Sequence, residues 1–302
     1  MQIANRDIIG NEEVKTKLRE ETDKAVKNGI FGVPTFVINN SFDKDFYFGM
    51  DRLPYIETRL RLGLRSLLRP PIHRIAFGDK GPSTGANKGK NKIEVFFDFA
   101  SPWTFLAYLR GHELRGFGEV EWKPVLLGAI FKSIGTPNAP ILALTDAKRN
   151  YMSKEMARWF SCNGSAIKFS SHFPLRTILP LRVYLADNRT IDCIFRGAWQ
   201  YDLNISNAEV LSKLLDENGF DGKALIAKTE DPKIKQALQD NTAFALDKGI
   251  FGLPMYAVNG DYDRIVWGQD RIDFVKDICK GWKPPVLTTQ FAHDPKTRSS
   301  KL

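Results

Sequence analysis

The clearest hydrophobic pattern in the chain begins at residue 92, in the segment KIEVFFDFASPWTFLAYLR. Its nearly continuous apolar run predicts a buried strand over residues 93–99. Ser101 and Pro102 then open a helix, because serine is a good N-cap and proline fits the first helical turn. A second strand is predicted over EVEWKPVLL, residues 119–127. The pattern therefore predicts a strand–helix–strand unit.

Residues 137–219 have a mostly helical pattern, and the segment AKRNYMSKEMARWF lies among them. A charged amphipathic helix is predicted over residues 233–248. After Pro254 we expect a strand, a turn, a second strand and a last helix that starts at Asp270-Arg271. A β-α-β start, a long helical insertion and a β-β-α end together predict an α/β thioredoxin-like fold with a helical insertion.

The end of this domain has a second copy near the start of the chain. KNGIFGVPTFVINN with YFGMDR corresponds to DKGIFGLPMYAVNG with VWGQDR. The matched residues are Gly29 with Gly249, Pro34 with Pro254, Asn39 with Asn259, and Asp51-Arg52 with Asp270-Arg271. One extra residue in the first hairpin explains the change of spacing before Asp51. So many matches in the same order indicate a duplicated module.

The first copy lacks the roughly 140 residues that precede the second copy, so it is a partial module. We divide the chain into a partial thioredoxin-like C-terminal module (1–72), a flexible basic linker (73–91), a complete domain (92–290) and a tail (291–302). The partial module has no serine helix to face its proline, so we expect a structural role for it. Its small core predicts that it packs on the complete domain or on a second subunit, or that it is the least protected region of the chain.

The distribution of charge along the chain limits which classes of function fit the sequence. The net charge of +9 is concentrated in residues 52–92, which hold ten Lys or Arg and two acids and end in a Gly- and Lys-rich stretch. That stretch is typical of a solvated linker, so we predict no nucleic-acid partner; a phosphate-binding basic patch is the alternative. No apolar run reaches the ~20 residues of a membrane helix, and the charged N-terminus is unlike a secretory signal.

The three cysteines, Cys162, Cys193 and Cys279, are far apart in the sequence. They form neither a CxxC pair nor a metal-ligand spacing, so we interpret them as free thiols in a reducing compartment. We predict no metal site, since two of the four histidines also lie in segments that we read as linker and tail.

Five motifs in order, over about 190 residues, resemble one enzyme family. They are FFDFASPW, VLLGAIFKSIG, AKRNYMSKEMARW, SHFPLRTILPLR, and GIFGLP with WGQDR. The complete domain resembles the kappa-class glutathione transferases and the related 2-hydroxychromene-2-carboxylate isomerases, which have a DsbA-like thioredoxin fold. Each motif is weak alone, and their shared order carries the resemblance.

The resemblance implies that Ser101 is the catalytic residue. Ser101, Pro102, Trp103 and Thr104 take the four positions that form CxxC in thiol oxidoreductases, so this site cannot make its own disulfide. A helix N-terminus and a serine hydroxyl would instead stabilise the thiolate of bound glutathione. The alternative is that Ser101 only caps the helix.

The resemblance also implies the residues that bind glutathione. Leu253, before a cis Pro254, would pair through its backbone with the cysteinyl unit, although Pro254 could simply open a strand. Gln269 and Asp270 would bind the γ-glutamyl end, and Asp270 could also cap the last helix. Lys148 would pair with a glutathione carboxylate, or it is an ordinary solvated lysine.

Two positions depart from the family pattern. The kappa enzymes place an asparagine directly after the glycine that corresponds to Gly135, and here Asn138 or Thr136 would have to replace it. After the Phe-Pro turn, Arg176 stands where the isomerase branch often has asparagine; it would bind a carboxylate substrate or face water. Trp103, Thr104 and Arg176 are the predicted acceptor pocket.

We therefore expect a kappa-class glutathione transferase, whose co-substrate glutathione attacks electrophiles or peroxides and which forms a homodimer. The alternatives are a glutathione-dependent isomerase acting on a small aromatic acid, and a non-catalytic glutathione-binding or scaffold protein. The terminal Ser300-Lys301-Leu302 matches the peroxisomal targeting tripeptide and implies a peroxisomal import receptor as partner. Cytoplasmic or mitochondrial localisation is the alternative.

Overall fold

The computed structural model describes residues 10–39, 44–62 and 91–283. Residues 73–90 of the predicted linker and the tail with Ser300-Lys301-Leu302 lie outside these ranges. We call residues 10–39 with 44–62 the N-terminal copy, and residues 91–283 the complete domain. No helix in the described ranges combines the length and the apolar character that crossing a membrane requires.

The N-terminal copy consists of a helix, a hairpin and a second helix, as its sequence predicts. Its elements are α1 (Glu12–Lys27), β1 (Thr35–Asn39), β2 (Lys44–Phe48) and α2 (Leu53–Leu62). The side chain of Asn11 caps α1 by accepting the N–H of Glu13, and α1 buries none of its residues. The two strands pair antiparallel, with Val37 opposite Phe46.

The two copies share details of backbone conformation. The peptide bonds before Pro34 and Pro254 are both cis. The carbonyl of each proline accepts the N–H of a glycine at 3.0 Å, Gly49 in the first copy and Gly268 in the second. These glycines have φ angles of 100° and 105°, which side-chain-bearing residues rarely adopt. The duplication seen in the sequence is therefore present in the structure.

The complete domain is built on a four-stranded sheet of β3 (Asn91–Phe97), β4 (Gly118–Pro124), β5 (Met255–Val258) and β6 (Asp261–Trp267). The strand order is β4-β3-β5-β6. β3 runs parallel to β4 and antiparallel to β5, so that Val95 lies between Trp122 and Tyr256. This arrangement places the first strand beside the strands after Pro254, and it confirms the predicted thioredoxin-like order.

Helices cover both faces of the sheet and form the insertion. They are α3 (Pro102–Arg110), α4 (Leu127–Ser133), α5 (Asp146–Cys162), α6 (Ile178–Ala186), α7 (Ile191–Trp199), α8 (Ala208–Glu217), α9 (Gly222–Lys228), α10 (Pro232–Asp247) and α11 (Ile272–Cys279). Val95 packs with Ala107 of α3 and Val275 of α11 on one face. Phe96 points to the other face and packs with Ala245 of α10.

The largest core joins the end of β3 to the helical insertion. Phe97 and Phe99 pack there with Phe105 of α3 and Phe195 of α7, and all four are fully buried. Trp199, also fully buried, donates its Nε1–H to the carbonyl of Phe99 at 2.8 Å. The insertion thus fixes the backbone two residues before Ser101.

The N-terminal copy packs on helix α5 of the insertion. Tyr47 and Tyr55 are buried in the largest core, and the Tyr55 ring meets Trp159 edge to face at 5.2 Å. Phe46 stacks on Tyr151 with ring centres 5.2 Å apart. The partial module therefore obtains its core from the complete domain, which is the first of the three outcomes that its sequence predicts.

Candidate active site

Ser101 precedes the first turn of α3 and caps it. Its Oγ accepts the N–H of Thr104 at 3.3 Å, and the residue is 6% exposed. The hydroxyl donates to the carbonyl of Leu253 across 3.5 Å, which is long compared with the ~2.5–3.0 Å of a good O–H···O bond. Because this bond is weak, its proton can turn to a better acceptor at little cost.

The residues opposite Ser101 come from the loop before β5. Leu253 and the cis Pro254 are both buried there. The carbonyl of Pro254 accepts the N–H of Gly268, two residues before Asp270. The structure therefore brings Ser101, Leu253 and Pro254 together, and a backbone hydrogen bond joins Pro254 to the segment that holds Asp270.

Asp98, a residue that the sequence analysis did not select, anchors the loop before Ser101. Its carboxylate accepts the N–H groups of Ala100 at 3.0 Å and Leu127 at 2.8 Å, and it is also bonded to the side chain of Thr177. Burial raises the pKa of Asp98 to about 6, although these hydrogen bonds partly oppose the rise. A charged residue inside an otherwise apolar strand segment was the signal for it in the sequence.

Asp98→Asn is expected to change how stability depends on pH. An acid with a higher pKa in the folded state stabilises that state at low pH, and this contribution is lost as the pH rises from about 4 to about 6. The wild type should therefore lose about 2 kcal/mol of unfolding free energy relative to the variant between pH 4 and pH 7. Denaturant unfolding of both proteins at these two pH values measures this difference.

Asp202→Asn is the control for this pH dependence. Hydrogen bonds, first from the Ser171 backbone, lower the pKa of Asp202 to about 2. The stability that Asp202 contributes to the folded state is fully present above the pKa of this group in the unfolded chain, and it is lost only as the pH falls below about 4. A stability difference between wild type and Asp98→Asn that stays constant from pH 4 to pH 7 would contradict the assigned role of Asp98.

Gln269 is held by a buried arginine. Arg110 is 4% exposed, and its Nη1 donates to the Gln269 carbonyl at 2.7 Å and to Oε1 at 3.2 Å. Glu113 accepts from Nε of the same arginine. The side-chain amide nitrogen of Gln269 is therefore the group that is left for a ligand.

Asp270 lies in a cluster of charged side chains to which both copies contribute. Its Oδ2 accepts from Nη1 and Nη2 of Arg52, both at 3.3 Å, and from Arg271 at 3.4 Å. Arg271 also donates to Asp51 at 2.8 Å. Nε of Arg52 lies 2.5 Å from Glu155 of α5. The sequence predicted Asp270 for this site but gave no role in it to Asp51 or Arg52.

Three of the predicted glutathione ligands are not bonded to the residues around Ser101. Lys148 is exposed on the first turn of α5 and forms no ion pair with another described residue. The backbone of Thr136 bonds to Phe131 at 2.8 Å, and the exposed Asn138 places its Oδ1 against Gly128. None of the three has a hydrogen bond to the Ser101 loop within the described ranges.

The predicted acceptor residues differ in exposure. Trp103 is half-buried against the largest core, whereas Thr104 is completely buried and its hydroxyl has no hydrogen-bond partner among the described residues. Arg176 is exposed and follows the turn with the cis Phe173-Pro174 bond. Its neighbour Thr177 is the residue bonded to Asp98. The backbone next to Arg176 is thus connected to the Ser101 loop through the buried side chains of Thr177 and Asp98.

The free cysteines do not contribute a reactive thiolate. Cys162 and Cys193 are buried and Cys279 is half-buried. Burial raises the pKa of each of the three thiols to about 11, so they are protonated at neutral pH. Thiolate chemistry at this site therefore requires a thiol that comes from outside the chain.

A cavity of about 520 Å³ opens elsewhere, beside the edge strand β4. Its lining includes Tyr108 and Gly111 at the C-terminal end of α3, with Asp192 and Arg196 of α7. Ser101 lies at the other end of α3, about 13 Å along the helix axis. The cavity contains none of the predicted site residues, and we do not assign the reaction to it.

A model of the DSBA-like thioredoxin domain matches residues 4–61 and 92–280. The chain therefore belongs to the DsbA-like thioredoxin family. The match covers both copies.

Individual relatives are distant in sequence but matched over nearly their whole length. The chain is 24% identical to glutathione s-transferase kappa 2 of Caenorhabditis elegans over 214 residues, which are 64% of this chain and 94% of the relative. It is 23% identical to a 2-hydroxychromene-2-carboxylate isomerase of Sphingobium xenophagum over 190 residues, 61% of this chain and 95% of the relative. A solved structure of a 2-hydroxychromene-2-carboxylate isomerase covers 62% of this chain and 93% of its own, with a TM-score of 0.54 and 17% identity, and so shares the fold.

Proposed function

We propose that this protein is a glutathione-dependent enzyme of the kappa-class type, in which Ser101 activates the glutathione thiol for attack on an electrophile or a peroxide. The observation that supports this most is the weak 3.5 Å bond from Ser101 Oγ to Leu253, whose carbonyl precedes the cis Pro254. A hydroxyl placed there can donate to a sulfur atom that binds alongside Leu253.

Ser101 acts in this proposal as a hydrogen-bond donor and keeps its own proton. Glutathione binds as a thiol and loses its proton to solvent, and the thiolate accepts the Ser101 O–H. The N-terminus of α3 adds a partial positive charge beside the sulfur. Both effects favour the charged form and lower the thiol pKa from an ordinary value of ~8.5. With an aryl halide, the thiolate forms a carbon–sulfur bond and the halide leaves with the bonding electrons.

The remaining contacts orient the tripeptide. The backbone of Leu253 pairs with the cysteinyl unit, and the carboxylate of Asp270 accepts from the γ-glutamyl ammonium. Lys148, exposed on α5, reaches the other end of the ligand and pairs with a carboxylate. Charged hydrogen bonds of this kind contribute ~1.5–3 kcal/mol each.

A glutathione-dependent isomerase is the second candidate, and Arg176 is the observation that favours it. Its guanidinium is exposed, makes no ion pair with another described residue and follows the Phe173-Pro174 turn. A ring-opened aromatic acid could bind there through its carboxylate. The thiolate would add to the conjugated chain, permit rotation about the former double bond and leave again, so glutathione is regenerated.

Two substrates distinguish the candidates. We expect conversion of chlorodinitrobenzene by the full chain, dependent on glutathione and abolished when S-methylglutathione replaces it. Glutathione-dependent isomerisation of a 2-hydroxychromene-2-carboxylate, lost in Arg176→Gln, would favour the second candidate. Tight binding of glutathione without turnover of either substrate would make the protein a binding module, and absence of glutathione binding would overturn the proposal.

A further inference from the structure

The two copies meet through reciprocal contacts of equivalent residues. Arg52 of the N-terminal copy donates to Asp270, and Arg271 of the complete domain donates to Asp51. Identical subunits related by a two-fold axis make reciprocal contacts of this kind. A residue of one subunit contacts a second residue of the other, and the same contact is repeated with the two subunits exchanged. The two copies thus face each other here through a symmetric pair of contacts.

This arrangement brings two carboxylates together. Oδ2 of Asp51 and Oδ2 of Asp270 lie 2.8 Å and 3.4 Å from the same Nη1 of Arg271. They lie 2.9 Å and 3.3 Å from the same Nη1 of Arg52. No side chain among the described residues donates to Oδ1 of either aspartate. The Asp51 carboxylate also accepts its own backbone N–H. Because a carboxylate oxygen can accept more than one hydrogen bond, each carboxylate keeps capacity for a further donor.

The charges of the cluster leave an excess of one carboxylate. Asp51, Asp270 and Glu155 face the guanidinium groups of Arg52 and Arg271. Arg158 also pairs with Glu155, but it pairs with Asp45 as well, so including both adds one base and one acid and keeps the balance. Arg110 pairs with Glu113. Although burial alone would raise the pKa of Asp51, the hydrogen bond from Arg271 and the charge of Arg52 lower it. The N-terminal copy thus holds an ionised acid that a bound cation would neutralise.

Docking of the N-terminal copy does not by itself account for these charges. The buried rings of Tyr47 and Tyr55 already attach it to the largest core. Partly buried ion pairs add little net stability, because the loss of hydration offsets most of their attraction. The side chains of Asp51 and Asp270 also keep 24% and 20% of their surface exposed, so a small cationic group can reach them.

We propose that Asp51 of the N-terminal copy is a second carboxylate ligand for the γ-glutamyl ammonium of glutathione, beside Asp270. The N-terminal copy then completes the amine end of the binding site. Arg52 is a positioning residue. Its positive charge offsets the repulsion between the two aspartates and keeps them close together. This inference rests on the proposed function for the location of glutathione, and it adds a ligand that the complete domain does not contain.

The test compares glutathione with glutaryl-cysteinyl-glycine, which lacks only the γ-glutamyl ammonium. Titration calorimetry with the full chain should show that the wild type prefers glutathione about tenfold or more. In Asp51→Asn this preference should fall at least fivefold, while the affinity for the analogue stays within about twofold of wild type. Asp51→Glu, which keeps the charge, should retain most of the preference.

Asp45→Asn is the matched control, because Asp45 forms the other ion pair between the N-terminal copy and α5 but does not contact Asp270. It should keep the full preference for glutathione. An unchanged preference in Asp51→Asn, or an equal loss in Asp45→Asn, would overturn the inference and leave the proposed function intact. A wild type that binds neither ligand would instead overturn the proposed function.

Discussion

Ser101→Ala is expected to lower the rate with chlorodinitrobenzene at pH 7 about ten- to a hundredfold. A hydrogen bond to a charged group contributes ~1.5–3 kcal/mol, which corresponds to a rise of about one to two units in the pKa of the bound thiol. The variant should approach the wild-type rate at high pH, where the thiol ionises without the hydroxyl. A pH–rate profile at saturating glutathione measures this shift.

Ser170→Ala is the control for this experiment. Ser170 is also buried, but its hydroxyl bonds to Asp202, far along the chain from the Ser101 loop. It should leave the pH–rate profile unchanged. Loss of the helix cap in Ser101→Ala costs about 1 kcal/mol of stability by itself, and unfolding measurements separate that effect from the rate. Identical pH–rate profiles for wild type and Ser101→Ala would reduce Ser101 to a helix cap.

Trp199→Ala is expected to destabilise the protein by about 3–5 kcal/mol. The side chain is fully buried in the largest core and bonds to the carbonyl of Phe99, so the variant loses packing and leaves that carbonyl without its donor. Trp199→Phe keeps most of the ring contacts and should cost about 1–3 kcal/mol. Denaturant unfolding of the full chain measures both variants.

Trp282→Ala serves as the comparison, because this tryptophan is 42% exposed near the end of the described residues. Its substitution should change the unfolding free energy by about 0.5 kcal/mol or less. Comparable losses for Trp199→Ala and Trp282→Ala would contradict the role of Trp199 in supporting the loop before Ser101.

Local sequence patterns were sufficient to predict most of the fold. The apolar run after residue 92 predicted β3, and Ser101-Pro102 predicted the start of α3. The predicted strand over 93–99 extends too far, since β3 is Asn91–Phe97. The backbone leaves the sheet there because Asp98 turns to accept the N–H groups of Ala100 and Leu127. An apolar pattern cannot reveal such a turn.

The contacts that the sequence did not reveal join distant parts of the chain. Arg52 and Asp270 are 218 positions apart, and no local pattern pairs them. The repeat did show that two Asp-Arg pairs exist, but a repeat specifies similar local structure and not the contact between its copies. The bond between Arg110 and Gln269 was missed for the same reason.

The pKa of glutathione bound to the wild-type protein tests the central claim most directly. The thiolate absorbs in the ultraviolet, so its absorbance can be titrated against pH with glutathione bound to the full chain and with S-methylglutathione as the blank. We predict an apparent pKa at least about one unit below the ordinary thiol value of ~8.5. A bound glutathione whose thiol titrates at its ordinary pKa would contradict the proposed role of this site in thiol activation.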